Sequence, residues 1–213
     1  MRVITEALDL RGKRVLVRVD WSDHDPFRIE TSKPTIEYLT MAGAEVILAT
    51  HSDKGSTDDL KRFVPEGVAL LPNLREDPGE ETNSPEFAQV LAVKADLYVN
   101  EAFAVSHRKH ASIVGVPRLL PSYFGIRFVE EVKQLSKAFS PAHPFLILLG
   151  GAKIETKLPL VEKFLNTADQ IFIGGAMALK ASEIFPQHDK IFFPTGDLAA
   201  LDANQETIEN LKK

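Results

Sequence analysis

Basic side chains recur just past the ends of short apolar stretches in this chain. Arg108 stands in His107-Arg108-Lys109-His110, soon after Asp96-Leu-Tyr-Val-Asn100. Arg75 follows a third stretch through Leu71-Pro-Asn-Leu74, and His51 and Lys54 follow the EVILAT run at 45–50. Asp20 closes the KRVLVRVD run at 13–20, and Arg28 lies in the segment after it. Each run is short and β-prone, and in a parallel sheet all such ends share one edge. That edge is where an open α/β sheet holds its ligand. Four cations and a histidine there, Arg28, Lys54, Arg75, Arg108 and His51, point to an anion, because Arg forks match phosphate and carboxylate. Any one of them alone reads as a solvated surface charge. Their repetition at one strand end after another favours a site.

The second half offers a weaker signal. Gly150-Gly151 follows the apolar run FLILL at 145–149 and reads as a turn opening a helix, where backbone N–H groups can approach a phosphate. Lys153 and Lys157 are four apart, on one face near that helix start. Cations disfavour a helix N-terminus by themselves, and an anion held between them would offset this. A tight turn with two surface lysines is an equally good reading. Gly174-Gly175 is weaker still, since the next cation is Lys180. His107 and His110 lack a third ligand at metal-site spacing and read as loop histidines, and His24 reads as solvent-facing.

Composition narrows the ligand. The net charge is −5, so nothing draws the whole chain to nucleic acid or anionic lipid, and a basic cluster has to be local. With no cysteine there is no disulfide framework and no thiolate metal site. No apolar run reaches transmembrane length and the N-terminus lacks a signal peptide's apolar block, so a cytoplasmic protein is expected.

Strands and helices alternate. Helices are expected at about 33–42, from Ser84-Pro85 onward with Phe87, Val90 and Leu91 as the apolar face, at 129–139, around Leu158–Leu165, from Met177 to Ile184, and at 206–213. The stretch 21–27 reads as a polar loop broken by Pro26, and the stretch between Pro117 and Pro121 as irregular. The fold class is α/β, with two Rossmann-like lobes and parallel sheets, the second lobe incomplete. The expected lobes are 1–128 and 140–213, joined by the helix 129–139. One faint repeat is visible, a strand followed by Gly-Gly-Ala, at 150–152 and 174–176. An anion-binding edge on each lobe suggests transfer of a charged group, phosphoryl transfer first.

Several segments resemble phosphoglycerate kinases, in this order: GKRVLVRVD at 12–20, RIETSKPTIEYL at 28–39, GAEVILATH at 43–51, LLPNLREDPGEE at 70–81, ADLYVNEAFAVSHRKHAS at 95–112, LLGGAKIETK at 148–157 and IGGAMA at 173–178. The resemblance implies reversible phosphoryl exchange between 1,3-bisphosphoglycerate/3-phosphoglycerate and ADP/ATP with Mg2+, in glycolysis. It implies that Asp20, Ser22, Arg28, His51, Lys54, Arg75 and Arg108 meet the phosphoglycerate. Arg28 and Lys153 would serve the transferring phosphoryl group. Gly150, Gly151, Lys153, Lys157, Gly174 and Gly175 would meet the nucleotide. The chain departs from the family pattern in places. Asp-Phe-Asn is Asp20-Trp21-Ser22, His-Leu-Gly-Arg is His51-Ser52-Asp53-Lys54, and an Asp is replaced by Thr156. The segments 20–28 and 51–75 are short for the family, and only the LDANQETIE run at 201–209 is similar to its later part. The family's Gly-rich segment with its Mg-linked Asp is therefore expected to lie outside this chain, and a second chain supplying that half is a partner to consider. The alternative is a non-catalytic or fragmentary family member that only binds a phosphoglycerate-like anion.

Overall fold

A computed structural model describes residues 1–22, 24–53, 55–151 and 154–194. The chain divides into two compact units, Met1–Gln134 and Leu135–Lys213. The helix expected at 206–213 lies outside the described residues.

The first unit contains β1 (Arg14–Arg18), α1 (Pro26–Met41), β2 (Glu45–Ala49), β3 (Ala69–Leu70), α2 (Pro85–Ala92), β4 (Leu97–Asn100) and β5 (Ser122–Phe124), and α3 (Ile126–Ser136) runs out of it. Its five strands lie in the order β3-β2-β1-β4-β5, every neighbouring pair parallel. Strand β1 is central, so both its faces are covered. Val15 and Val17 pack on one side with Ile29, Ile36 and Leu39 of α1. Leu16 packs on the other with Ala88 and Leu91 of α2. Fully burying each such side chain contributes about 1.5–3 kcal/mol.

Helix α1 starts earlier than the sequence suggests. Asp25 is its N-cap, accepting from the Phe27 N–H at 2.9 Å, and Pro26 occupies the first turn, where its missing N–H costs nothing. Pro26 therefore opens a helix instead of breaking a loop. Pro34 inside the helix is what makes the segment read as beginning at Lys33. Trp21, fully buried, fixes this end of the helix to the sheet. Its backbone N–H donates to Thr50 Oγ1 (3.1 Å) and its indole N–H to Ser32 Oγ on α1 (2.9 Å).

Two further differences have physical causes. The short strand β5 lies in the region read as irregular, because three residues between Pro121 and Gly125 carry no periodic signal. Helix α3 starts three residues before Val129 because its cap comes from elsewhere in the chain. The buried carboxylate of Glu101 accepts from the N–H groups of Arg127 (3.0 Å) and Phe128 (3.2 Å) and from Thr35 Oγ1 (2.6 Å). A Cβ on Gly125 would sit 1.7 Å from that carboxylate, so only glycine fits there. On α2 the buried residues are Ala88, Leu91 and Ala92, while Val90 is exposed.

The second unit contains β6 (Leu146–Leu149), α4 (Leu158–Phe164), β7 (Gln170–Ile173), α5 (Met177–Ile184) and β8 (Ile191–Phe192), with the parallel order β6-β7-β8. Ile147, Ile171, Ile173 and Ile191 pack with Val161 and Phe164 of α4 and Met177 and Ala181 of α5. On the opposite face of β6, Leu148 is 66% exposed. Gly150-Gly151 does not run straight into a helix, since α4 begins only at Leu158. Instead the two Gly-Gly turns touch. Gly151 (φ 140°) and Gly175 (φ 69°) both have positive φ, and a Cβ on Gly175 would stand 3.3 Å from the Gly151 carbonyl oxygen. The Met177 N–H donates to that same carbonyl at 3.1 Å. Gly175→Ala is expected to destabilise the second unit by about 1–2 kcal/mol, the left-handed penalty for an L-residue. Gly150→Ala, whose Cβ would meet nothing within 4 Å, should cost much less. Urea unfolding of the two variants compares them directly.

Candidate functional site

The strand order reverses between β1 and β4, and a cavity of about 280 Å³ lies beyond their C-terminal ends. This is the crevice position expected for ligands in such sheets. Its walls include Asp20 after β1, Arg28 and Thr31 in the first turns of α1, Glu101 and Phe103 after β4, and Arg127 of α3. Asp20 is nearly buried. Arg28 Nη1 donates to its Oδ2 at 2.8 Å, and Ser22 Oγ donates to its Oδ1 at 3.0 Å. Asp20, Ser22 and Arg28 thus form one hydrogen-bonded set. The Arg28 side chain remains 38% exposed at the cavity wall, so an incoming anion can reach it.

A second set lies beyond β1, β2 and β3. His51 is buried, and its Nδ1 stands 3.0 Å from an Arg18 terminal nitrogen. Arg18, the last residue of β1, is 1% exposed. Its Nε donates to Ser112 Oγ at 2.9 Å, and a terminal nitrogen donates to the Val19 carbonyl. Ser112 in turn donates through Oγ (2.5 Å) and its backbone N–H (2.9 Å) to Glu80, which is fully buried. Burial lowers the pKa of Arg18, and the Glu80 charge opposes that shift. Burial first, then the charges of Arg18 and Arg75, pull His51 down to about 4, against a raising effect of Asp20 and Asp53. His51 is therefore neutral at pH 7.

Arg75 stands near His51 but is already engaged. Its guanidinium pairs with Asp53, and its Nε lies 3.2 Å from Glu81. Asn73 fixes the backbone here. Its Oδ1 accepts from the N–H groups of Ser52 (3.0 Å) and Arg75 (3.1 Å), and its Nδ2 donates to the Ser52 carbonyl (2.8 Å). Arg108 is half-buried, and its guanidinium has no ion-pair partner among the described residues. Its charge, with burial as the larger cause, lowers the pKa of His110. His24 is not solvent-facing. It is half-buried, with Nε2 3.1 Å from Ser52 Oγ.

The structure thus groups Asp20, Ser22 and Arg28 closely, and places His51 and Arg75 under one another's charge. Among the described residues, no hydrogen bond or ion pair joins Arg108 to either set. Lys54 and Lys153 lie outside the described residues. In the second unit Lys157 is exposed at the N-cap position of α4, Thr156 beside it is exposed, and Lys180 pairs with Glu155. Gly150, Gly151, Gly174 and Gly175 form the joined turns at the strand ends. Among the described residues there is no group of three or more His, Cys, Asp or Glu side chains that could hold a metal ion.

Sequence reading missed Arg18, Glu80, Ser112 and Asn73. A signal for Arg18 did exist. A lone charge between valines on a strand buried on both faces must be a satisfied interior group. Nothing in the local spacing marks Glu80 or Ser112.

The phosphoglycerate kinase family model matches this chain at residues 5–64 and 53–184. The chain belongs to the phosphoglycerate kinase family. A phosphoglycerate kinase of Methylorubrum populi is 39% identical over 220 residues, spanning 83% of this chain and 55% of its own length. One of Gloeobacter violaceus is 41% identical over 216 residues, spanning 81% and 53%. The structure of phosphoglycerate kinase from Coxiella burnetii superposes with a TM-score of 0.73 at 26% identity, covering 99% of this chain and 63% of that one. The Pyrococcus horikoshii phosphoglycerate kinase gives 0.75 at 28%, covering 88% and 58%. The chain spans about half the length of the curated relatives it matches. The two matches to the family model overlap at 53–64.

The His51 environment has a pH consequence. A histidine with a depressed folded-state pKa binds fewer protons than its unfolded counterpart between the two values. Folding stability should therefore fall as pH drops from about 6.5 towards about 4. Burial raises the pKa of Glu101, which acts with the opposite sign, so the informative quantity is a difference. Urea unfolding across this range should show a steeper loss for the native chain than for His51→Gln.

Proposed function

We propose that this chain carries out phosphoglycerate kinase chemistry, the reversible transfer of a phosphoryl group between 1,3-bisphosphoglycerate and ADP, giving 3-phosphoglycerate and ATP, in the cytoplasm. The observation that carries the reading is the edge beyond β1 and β4, where Asp20, held by Ser22, and Arg28 line a cavity at the strand-order reversal of a family member. In this reading residues 1–128 hold the phosphoglycerate, 140–213 the nucleotide, and 129–139 connect them.

Arg28, His51, Lys54, Arg75 and Arg108 bind the phosphate and carboxylate oxygens, and Asp20 and Ser22 meet the hydroxyl side of the ligand. A guanidinium in a partly desolvated cavity stabilises charge that develops on equatorial phosphoryl oxygens, which is most of what phosphoryl transfer needs. Arg28 has that role, with Lys153 as the second cation. Gly150, Gly151, Gly174 and Gly175 let backbone approach the nucleotide, and Lys157 supplies charge to its phosphates. Mg2+ comes with ATP or ADP, bound to their phosphates. The family match runs through both units to residue 184, which favours this reading over simple anion binding.

Purified chain should form ATP from 1,3-bisphosphoglycerate and Mg-ADP above background. Run with and without a polypeptide covering the unmatched C-terminal part of a relative, the assay also tests for a second chain in the nucleotide half. Absence of turnover in both arms overturns the reading. Arg28→Ala and Arg108→Ala should each weaken 3-phosphoglycerate binding by about 1.5–3 kcal/mol, the range for a charged hydrogen bond. Calorimetric titration reads this, and unchanged affinity in both refutes the assignment.

Asp53 stands where the family pattern has Gly, and it pairs with Arg75. A ligand binding Arg75 has to displace this carboxylate. Asp53→Gly is expected to tighten 3-phosphoglycerate binding by about 0.2–1 kcal/mol, the scale of an exposed ion pair, in the same titration.

A further inference from the structure

We propose that Arg18 is a positioning residue, whose guanidinium fixes His51 as the Nε2–H tautomer so that the imidazole meets an anionic ligand as a neutral hydrogen-bond donor. The ligand's identity rests on the phosphoglycerate reading above, but the tautomer does not.

A guanidinium has only N–H donors. Its terminal nitrogen stands 3.0 Å from His51 Nδ1. That contact is a hydrogen bond only if Nδ1 carries a lone pair. Both the imidazolium and the Nδ1–H tautomer would set two donors against each other in a buried site. The proton of the neutral ring is then on Nε2, which is free to donate to a ligand oxygen. A second ring nitrogen's partner setting the first one's role is a general property of histidine.

Arg18 can impose this because it cannot turn away. Its Nε is fixed by Ser112 Oγ at 2.9 Å and one terminal nitrogen by the Val19 carbonyl. Ser112 is itself fixed by both oxygens of the fully buried Glu80, at 2.5 and 2.9 Å. The chain Glu80–Ser112–Arg18–His51 thus runs through segments that follow β3 and β4, the end of β1, and the segment after β2. Around His51 the charges are Arg18 at the end of β1, Asp20 after it, Arg75 after β3, and Asp53 in the histidine's own loop. Two cations and burial oppose protonation, and two carboxylates favour it. A neutral donor in that setting adds directionality to an anion site already supplied with positive charge.

The test is long-range proton–nitrogen NMR of 15N-labelled full chain, with His51 assigned by the signals lost in His51→Gln. Native His51 should show an unprotonated Nδ1 and a protonated Nε2 that do not change from pH 8 to pH 5.5. Arg18→Lys keeps a cation but loses the rigid fork. It should show both tautomers and a midpoint moved towards the ordinary value of about 6.5. Its Kd for 3-phosphoglycerate, relative to the native chain, should rise at least about threefold, a little over 0.6 kcal/mol, with a ratio that varies with pH. A native His51 carrying its proton on Nδ1, or titrating near pH 6.5, overturns the proposal even if Arg18→Lys does not fold. An unchanged tautomer in folded Arg18→Lys overturns it as well. The expected tautomer without 3-phosphoglycerate binding would sink the ligand reading and leave the positioning role standing.

Discussion

The shared register of β1 with both its neighbours sets the first unit's chemistry. Arg18 pairs with Ala49 of β2 and with Asn100 of β4, all in parallel. The residues just past these partners, Asp20, His51 and Glu101, must therefore emerge at one level on one edge. Slipping any strand by one residue would turn its side chains to the other face and scatter the set. The apolar residues of β1, sorted to opposite cores, prevent that slip.

Holding charge at such an edge has a cost, and the structure meets it with partners. Arg18, Glu80 and Glu101 are all buried, and a buried ion without compensation costs several kcal/mol. Glu80 and Arg18 share Ser112 between them, and Glu101 is surrounded by backbone N–H groups and a hydroxyl. These networks join elements far apart in sequence, so they fix the edge's shape as well as its charge. His51 meets the same environment by staying neutral.

Much of this was legible in the sequence. Alternating apolar runs gave the strands and their parallel sense, and the cations after them marked the edge. Ser84-Pro85 located α2, because cap and first-turn proline are local signals. The start of α3 was invisible for the opposite reason. Its cap, Glu101, sits after β4, and no local pattern records a long-range bond. The start of α1 was obscured by two prolines, either of which suits a first turn. That Arg75 would be occupied by Asp53 was equally hidden, since pairing across two loops depends on how the Asn73 clamp folds them together.

The contact between the glycine turns at 150–151 and 174–175 makes one mechanical part out of what looks like two copies of a short phrase. A side chain on Gly175 would press on the backbone of Gly151, whereas one on Gly151 would meet only the Met177 sulfur, at 3.8 Å. The wedge therefore works in one direction: the first turn holds position 175 to glycine by proximity, and position 151 is held to it by its own backbone angle.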